Sequence, residues 1–85
     1  ISKHAMKLAD RIRDTFKAKG IKLLYDSPTN QLFPMLTDEQ MNKLKNDFSF
    51  SYWSRNEGLN TVRFCTSWAT QESDVDTLIK AINEL

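Results

Sequence analysis

Residues 61–68 alternate in character, and that alternation constrains the whole chain. Val62, Phe64, Thr66 and Trp68 fall on one side of an extended segment, with Arg63, Cys65 and Ser67 on the other. An apolar strand face has to be buried, and the next segment can cover it. Val75, Leu78, Ile79, Ile82 and Leu85 recur at helical spacing and form one apolar stripe. Thr70 is placed to cap that helix, and Glu72, Ser73 and Asp74 suit its positive end. Residues 61–85 therefore read as a buried strand, a polar break and an amphipathic helix, with a lone arginine in an otherwise neutral strand.

The preceding residues read as support for that unit. Ala5, Leu8, Ala9, Ile12 and Phe16 share a helical face over residues 2–19, with Lys7, Asp10, Arg11, Arg13, Asp14 and Lys17 opposite. Ser2 is the expected N-cap. Gly20, lacking a Cβ, suits the left-handed C-terminal position. Residues 21–25 are short and apolar and predict a strand, followed by a turn cluster at 26–30. Residues 31–36 predict a second strand, either on an edge or with Pro34 facing away from its partner, because Pro34 has no N–H to donate. Thr37-Asp38-Glu39-Gln40 is a capping box opening a short helix to about residue 46, with Leu36 and Met41 at the staple positions. Phe48, Phe50 and Tyr52 alternate with serines, and residues 55–60 form a polar, Gly-containing hairpin connection.

This order, α-β-β-α-β-β-α, predicts an α+β two-layer sandwich. A mostly antiparallel sheet of about four strands carries three helices on one face. The other face would present Arg63, Cys65, Ser67, Ser49 and Ser51, with Trp53 near them. It is semi-polar and weakly charged, a surface suited to cover by another domain. Eighty-five residues make one domain, residues 1–85. The chain opens on Ile1 and is helix-patterned at once, as expected of a domain cut from a longer chain and equally of a processed or tag-removed end.

The formal net charge of +1 lacks the clustered positive charge of a nucleic-acid surface. No apolar run approaches the roughly 18 residues of a membrane span. A single cysteine excludes an internal disulfide and fits a reducing, cytoplasmic setting. No catalytic set assembles from the residue types. His4 stands alone near a helix start, and a Cys65–His4 nucleophile pair lacks a positive helix end to activate the thiol. Glu39, Asp47, Glu57, Glu72 and Asp74 are scattered or explained by capping, which leaves no metal set. Gly20 and Gly58 are isolated and form no phosphate loop. Phe48, Phe50, Tyr52 and Trp53 are better placed for core packing than for base stacking.

Arg63 is the residue of interest. It is either a surface charge paired with Glu57 across the hairpin or a fixed guanidinium aimed at a carboxylate. The second role exploits a planar fork that makes two parallel hydrogen bonds, a geometry lysine lacks.

The run Val62-Arg63-Phe64-Cys65-Thr66-Ser67-Trp68-Ala69-Thr70, followed by Glu72, Asp74, Val75, Asp76, Leu78 and Ile79, resembles the C-terminal pattern of the threonine aldolase-like and β-eliminating lyase family. Pro28-Thr29-Asn30-Gln31-Leu32-Phe33-Pro34 is similar to that family's strand after the first helix of its small domain. The resemblance implies the small C-terminal domain of a fold-type I pyridoxal-phosphate enzyme, with the cofactor-binding large domain absent from this chain. It implies that Arg63 grips the substrate's α-carboxylate. Asn30 and Gln31 match the family motif without an assigned role. No lysine here matches the Schiff-base lysine, so the resemblance implies no cofactor-binding and no catalytic residue in these 85 positions, and an inactive isolated fragment. For the full-length enzyme it implies cleavage of a β-hydroxy amino acid to glycine and an aldehyde, an amino acid substrate and a homo-oligomer. The rival expectation is a stand-alone ferredoxin-like interaction or regulatory module.

Overall fold

The computed structural model describes residues 2–26 and 29–85. Its elements are α1 (Lys3–Ala18), β1 (Gln31–Leu32), β2 (Met35–Leu36), α2 (Asp38–Lys45), β3 (Ser51–Asn56), β4 (Leu59–Cys65) and α3 (Glu72–Asn83). The α+β class, the antiparallel sheet and the element order agree with the sequence expectation. The first two strands differ in detail. Residues 21–25 contribute only one bridge, Leu23 to Pro34, in place of a strand. The strand expected over 31–36 is split in two.

Pro34 explains the split. β1 and β2 pair with β4 in one continuous register, Gln31 opposite Cys65 and Leu36 opposite Asn60. They lie end to end along one edge of β4. Between them the Val62 N–H donates to the Pro34 carbonyl at 3.2 Å. The return bond needs an N–H that proline lacks, so the ladder is interrupted there. Pro34 is buried between β4 and residues 22–24, where Leu24 N–H donates to Phe33 O and Met35 N–H to Lys22 O, both at 2.9 Å.

β3 lines the other edge of β4. Their connection is shorter than the polar run suggested. Only Glu57 and Gly58 turn the chain, and Arg55, Asn56 and Asn60 belong to the strands. Both turn residues have positive φ, 54° and 78°, the two-residue geometry that matches strand twist and favours glycine second. β4 thus has partners on both sides.

All three helices cover one face. Leu8, Ile12 and Phe16 of α1, Leu44 of α2, and Val75, Leu78 and Ile82 of α3 pack with Leu32, Leu36, Val62 and Phe64. The periodicity of α1 and α3 is what lets one stripe of each reach the sheet. Lys7–Glu72, Arg11–Asp76 and a bond from Lys19 Nζ to Asn83 O advance together along both helices, so α1 and α3 lie parallel and adjacent. The Thr37–Gln40 capping box forms as expected and starts α2. Asn60 donates to the Asp38 carboxylate at 2.6 Å and Arg55 at 3.4 Å, pinning that helix start to the hairpin. The Asn60 bond, then Arg55, holds the Asp38 carboxyl below its ordinary pKa.

Four further expectations are corrected. Arg13 is buried instead of lying on the solvated face of α1: it pairs with Asp10 and donates to the Thr29 carbonyl at 2.8 Å. Trp68 is 81% exposed instead of facing the core. β4 has ended by then, and residues 67–70 form a turn in which Ser67 N–H donates to Thr70 Oγ1 and Ala69 N–H to Ser67 Oγ. That turn also occupies the Thr70 hydroxyl, so the cap position of α3 falls to Gln71, with no side-chain bond. Of the alternating aromatics, Phe48 and Phe50 pack on the core, whereas Tyr52 is exposed.

Candidate functional site

Strand alternation sets the site. Even-numbered Val62, Phe64 and Thr66 face the helices, which turns Arg63 and Cys65 to the opposite face of β4. β3 begins pairing only at Ser51, opposite Arg63, so two residues further along Cys65 has no β3 partner. An open depression of about 260 Å³ results, lined by Ser49, Phe50, Ser51, Arg63 and Cys65.

The Arg63 guanidinium lies over the Trp53 ring, 5.9 Å from its centroid. Its Nη2 donates to Ser51 Oγ at 3.5 Å, a bond at the limit of length. Trp53 meets Phe33 edge-on at 5.0 Å, and Phe33 meets Tyr25 in the same manner at 5.1 Å. A ledge of three rings therefore crosses the outer face and ends at the arginine. Phe33 is buried beneath Tyr25 and Trp53, which remain exposed.

Among the described residues no carboxylate lies within ion-pair distance of Arg63. Glu57, the partner suggested for it across the hairpin, bonds Lys22 at 3.6 Å instead. The two turn residues send the Glu57 side chain towards residues 21–25. The guanidinium is thus positioned by a π face and a hydroxyl, and its fork is open to a planar anion.

No protein-family model and no curated protein matches the sequence. A solved structure of threonine aldolase from Leishmania major does. The two superpose with a TM-score of 0.89 at 33% sequence identity, covering 95% of this chain. Over nearly its whole length the chain is similar to that threonine aldolase. It spans about a quarter, 24%, of the length of that Leishmania protein.

The remaining candidate groups have other partners in this threonine aldolase-like domain. His4 donates from Nε2 to the Thr70 carbonyl and steadies the turn before α3. Its engagement there and the separate contacts of Cys65 give no nucleophile pair. Cys65 is exposed, with the Asn30 side-chain amide 3.8 Å from its sulfur. Asn30 itself closes the end of the sheet, receiving the Thr66 N–H at 3.0 Å and returning a side-chain bond to the Thr66 carbonyl at 2.9 Å. That reciprocal pair gives the motif asparagine a structural role. Gln31 is exposed at the first position of β1.

Among the described residues no three His, Cys, Asp or Glu side chains come together as a metal site, and no helix is long and apolar enough to cross a membrane. Sequence reasoning missed the aromatic ledge. A period of two sends the Phe33 ring away from Leu32 and Pro34, but it does not show that Tyr25 and Trp53 meet it there.

Proposed function

We propose that this chain is the small C-terminal domain of a pyridoxal-phosphate-dependent lyase of the threonine aldolase type, and that Arg63 binds the substrate's α-carboxylate. The observation that carries the reading is the open guanidinium of Arg63. It stands at an accessible depression, against a tryptophan face and a serine hydroxyl. A bidentate arginine–carboxylate pair fixes both the position and the plane of an amino acid. In the whole enzyme that orientation would serve cleavage of the Cα–Cβ bond of a β-hydroxy amino acid, giving glycine and an aldehyde.

Pyridoxal phosphate requires a lysine for its Schiff base and an acid for its pyridine nitrogen. The lining of the Arg63 depression contains neither, so these residues do not fit the cofactor. The reading assigns the cofactor to the large domain of the full-length protein, and assigns to this domain the orientation of substrate alone. The full-length enzyme is proposed to be a cytoplasmic homo-oligomer. Exposure of Trp53 beside Arg63, and of Tyr25 at the far end of the ledge, supports a face covered by that larger protein over a free-standing ferredoxin-like module, which would hide its apolar surface.

The test replaces Arg63 with Ala or Lys in the full-length protein. Loss of a charge-assisted bidentate contact worth about 2–4 kcal/mol lowers kcat/KM for the amino acid by about 30- to 1,000-fold. The cofactor's absorbance stays unchanged. Wild-type kinetics in both variants would remove Arg63 from the substrate site.

A further inference from the structure

We infer that Trp53 is a positioning residue for Arg63, fixing the guanidinium through its ring so that the hydrogen-bonding fork stays free for a carboxylate. The inference rests on the assignment of Arg63 to the substrate's carboxylate and extends it to the residue that prepares the site.

A free arginine side chain holds about 2 kcal/mol of rotamer entropy, most of which a ligand must overcome if nothing restrains it. Restraint by an aspartate or glutamate would occupy the N–H groups the ligand needs. A tryptophan face restrains the cation through the ring quadrupole and uses none of them. The Ser51 hydroxyl, 3.5 Å from Nη2, is too distant to hold the group alone. The indole ring, its centroid 5.9 Å from the guanidinium carbon, lies at the edge of cation–π range and adds a second restraint that occupies no N–H.

Trp53 is itself held in place. The pairing of β3 with β4 slips between Tyr52 and Ser54, leaving Trp53 as the extra residue of a bulge. Bulges re-aim side chains and recur beside functional sites. Here the outer face receives the indole against the edge of Phe33, at an interplanar angle of 63°. Phe33 is in turn wedged by Tyr25 at 86°. Three rings anchored on three segments brace one guanidinium. A core tryptophan would be buried, whereas Trp53 is 46% exposed. Its exposure puts the ring beside the depression.

The experiment uses the full-length enzyme with Trp53→Leu, Trp53→Phe and Trp53→Tyr, each also in an Arg63→Ala background. A cation–π contact of this kind predicts that W53L raises KM for the amino acid by about 3- to 30-fold, with kcat changed less than KM. Phe and Tyr restore most of the loss, and the effect of W53L vanishes when Arg63 is already alanine. An amino acid in which a carboxamide replaces the α-carboxylate, used as a competitive inhibitor, loses no affinity in W53L. An unchanged KM in W53L, an equal effect in the Arg63→Ala background, or Leu matching Phe and Tyr would overturn the inference. Should W53L fail to fold, the Trp-to-Phe and Trp-to-Tyr comparison in both Arg63 backgrounds decides the same point. Failure of the parent reading is distinguishable: it shows as normal kinetics in Arg63→Ala itself, whatever Trp53 does.

Discussion

Arg13→Met isolates what a buried guanidinium contributes to this fold. Methionine keeps an unbranched, flexible apolar stem in the same space and removes only the fork. The bonds lost include those to Asp10 and to the Thr29 carbonyl, and these two differ in value. Asp10 has a 55% exposed side chain, so its carboxylate rehydrates and the lost pair costs at most about 1 kcal/mol. The Thr29 carbonyl loses a charged donor 2.8 Å away, and such bonds are worth about 1.5–3 kcal/mol. Relief of guanidinium desolvation offsets part of the sum. A net destabilisation of about 2 kcal/mol follows, near 10 °C in Tm or 1–2 M in urea midpoint for a chain this size. Urea denaturation with unchanged slope is the assay, with Asp10→Asn as comparison at under about 1 kcal/mol. A wild-type midpoint for R13M, or equal losses in R13M and D10N, would refute the claim that the backbone bond to the loop dominates.

Two further outcomes follow from packing and charge. Leu44 is the one buried residue of α2, so Leu44→Ala should cost about 3 kcal/mol and raise amide exchange across α2 first; uniform exchange along the chain would contradict this. The Asn60 and Arg55 bonds hold the Asp38 carboxyl below its ordinary pKa, so its contribution is present above that ordinary value and is lost as pH falls through the lower folded value. Asp38→Asn should flatten the stability profile below about pH 4, measured by urea midpoints from pH 5 to 2, and an unaltered acid limb would show that other carboxylates set it.

Where one local rule governs, the sequence is a faithful guide. The stripes of α1 and α3, the parity of Val62 and Phe64, and the Thr37–Gln40 box need only neighbours within one element. Elsewhere two rules compete. Arg13 stands four residues after Ala9 and three before Phe16, so helical spacing places it on the buried stripe while its charge argues for solvent. A carbonyl sixteen residues away resolves the conflict, and no periodicity reports it. Trp68 continues the parity of β4 in sequence, but the Ser67 and Thr70 hydroxyls end the strand first. At the site, the orientation of Arg63 was legible from alternation. The ledge of Tyr25, Phe33 and Trp53 was not, because it joins three segments whose register only the folded sheet defines.

The same register explains why Arg63 is well placed without a carboxylate partner. A slip of β4 by one residue exchanges its faces. Val62 and Phe64 would then be exposed, at about 1.5–3 kcal/mol each, and a guanidinium would enter the helix-covered core unpaired, at several kcal/mol more. That sum approaches the whole stability of a small domain, so no slipped state is populated. β4 is also held on both edges, by β1 and β2 on one side and β3 on the other. The outward position of Arg63 is therefore enforced by residues it never touches. Core packing supplies the direction of the side chain, and Trp53 supplies its final orientation. Under this division of labour, a cavity beneath β4 would loosen the fold as a whole, whereas a change at Trp53 would loosen only the guanidinium.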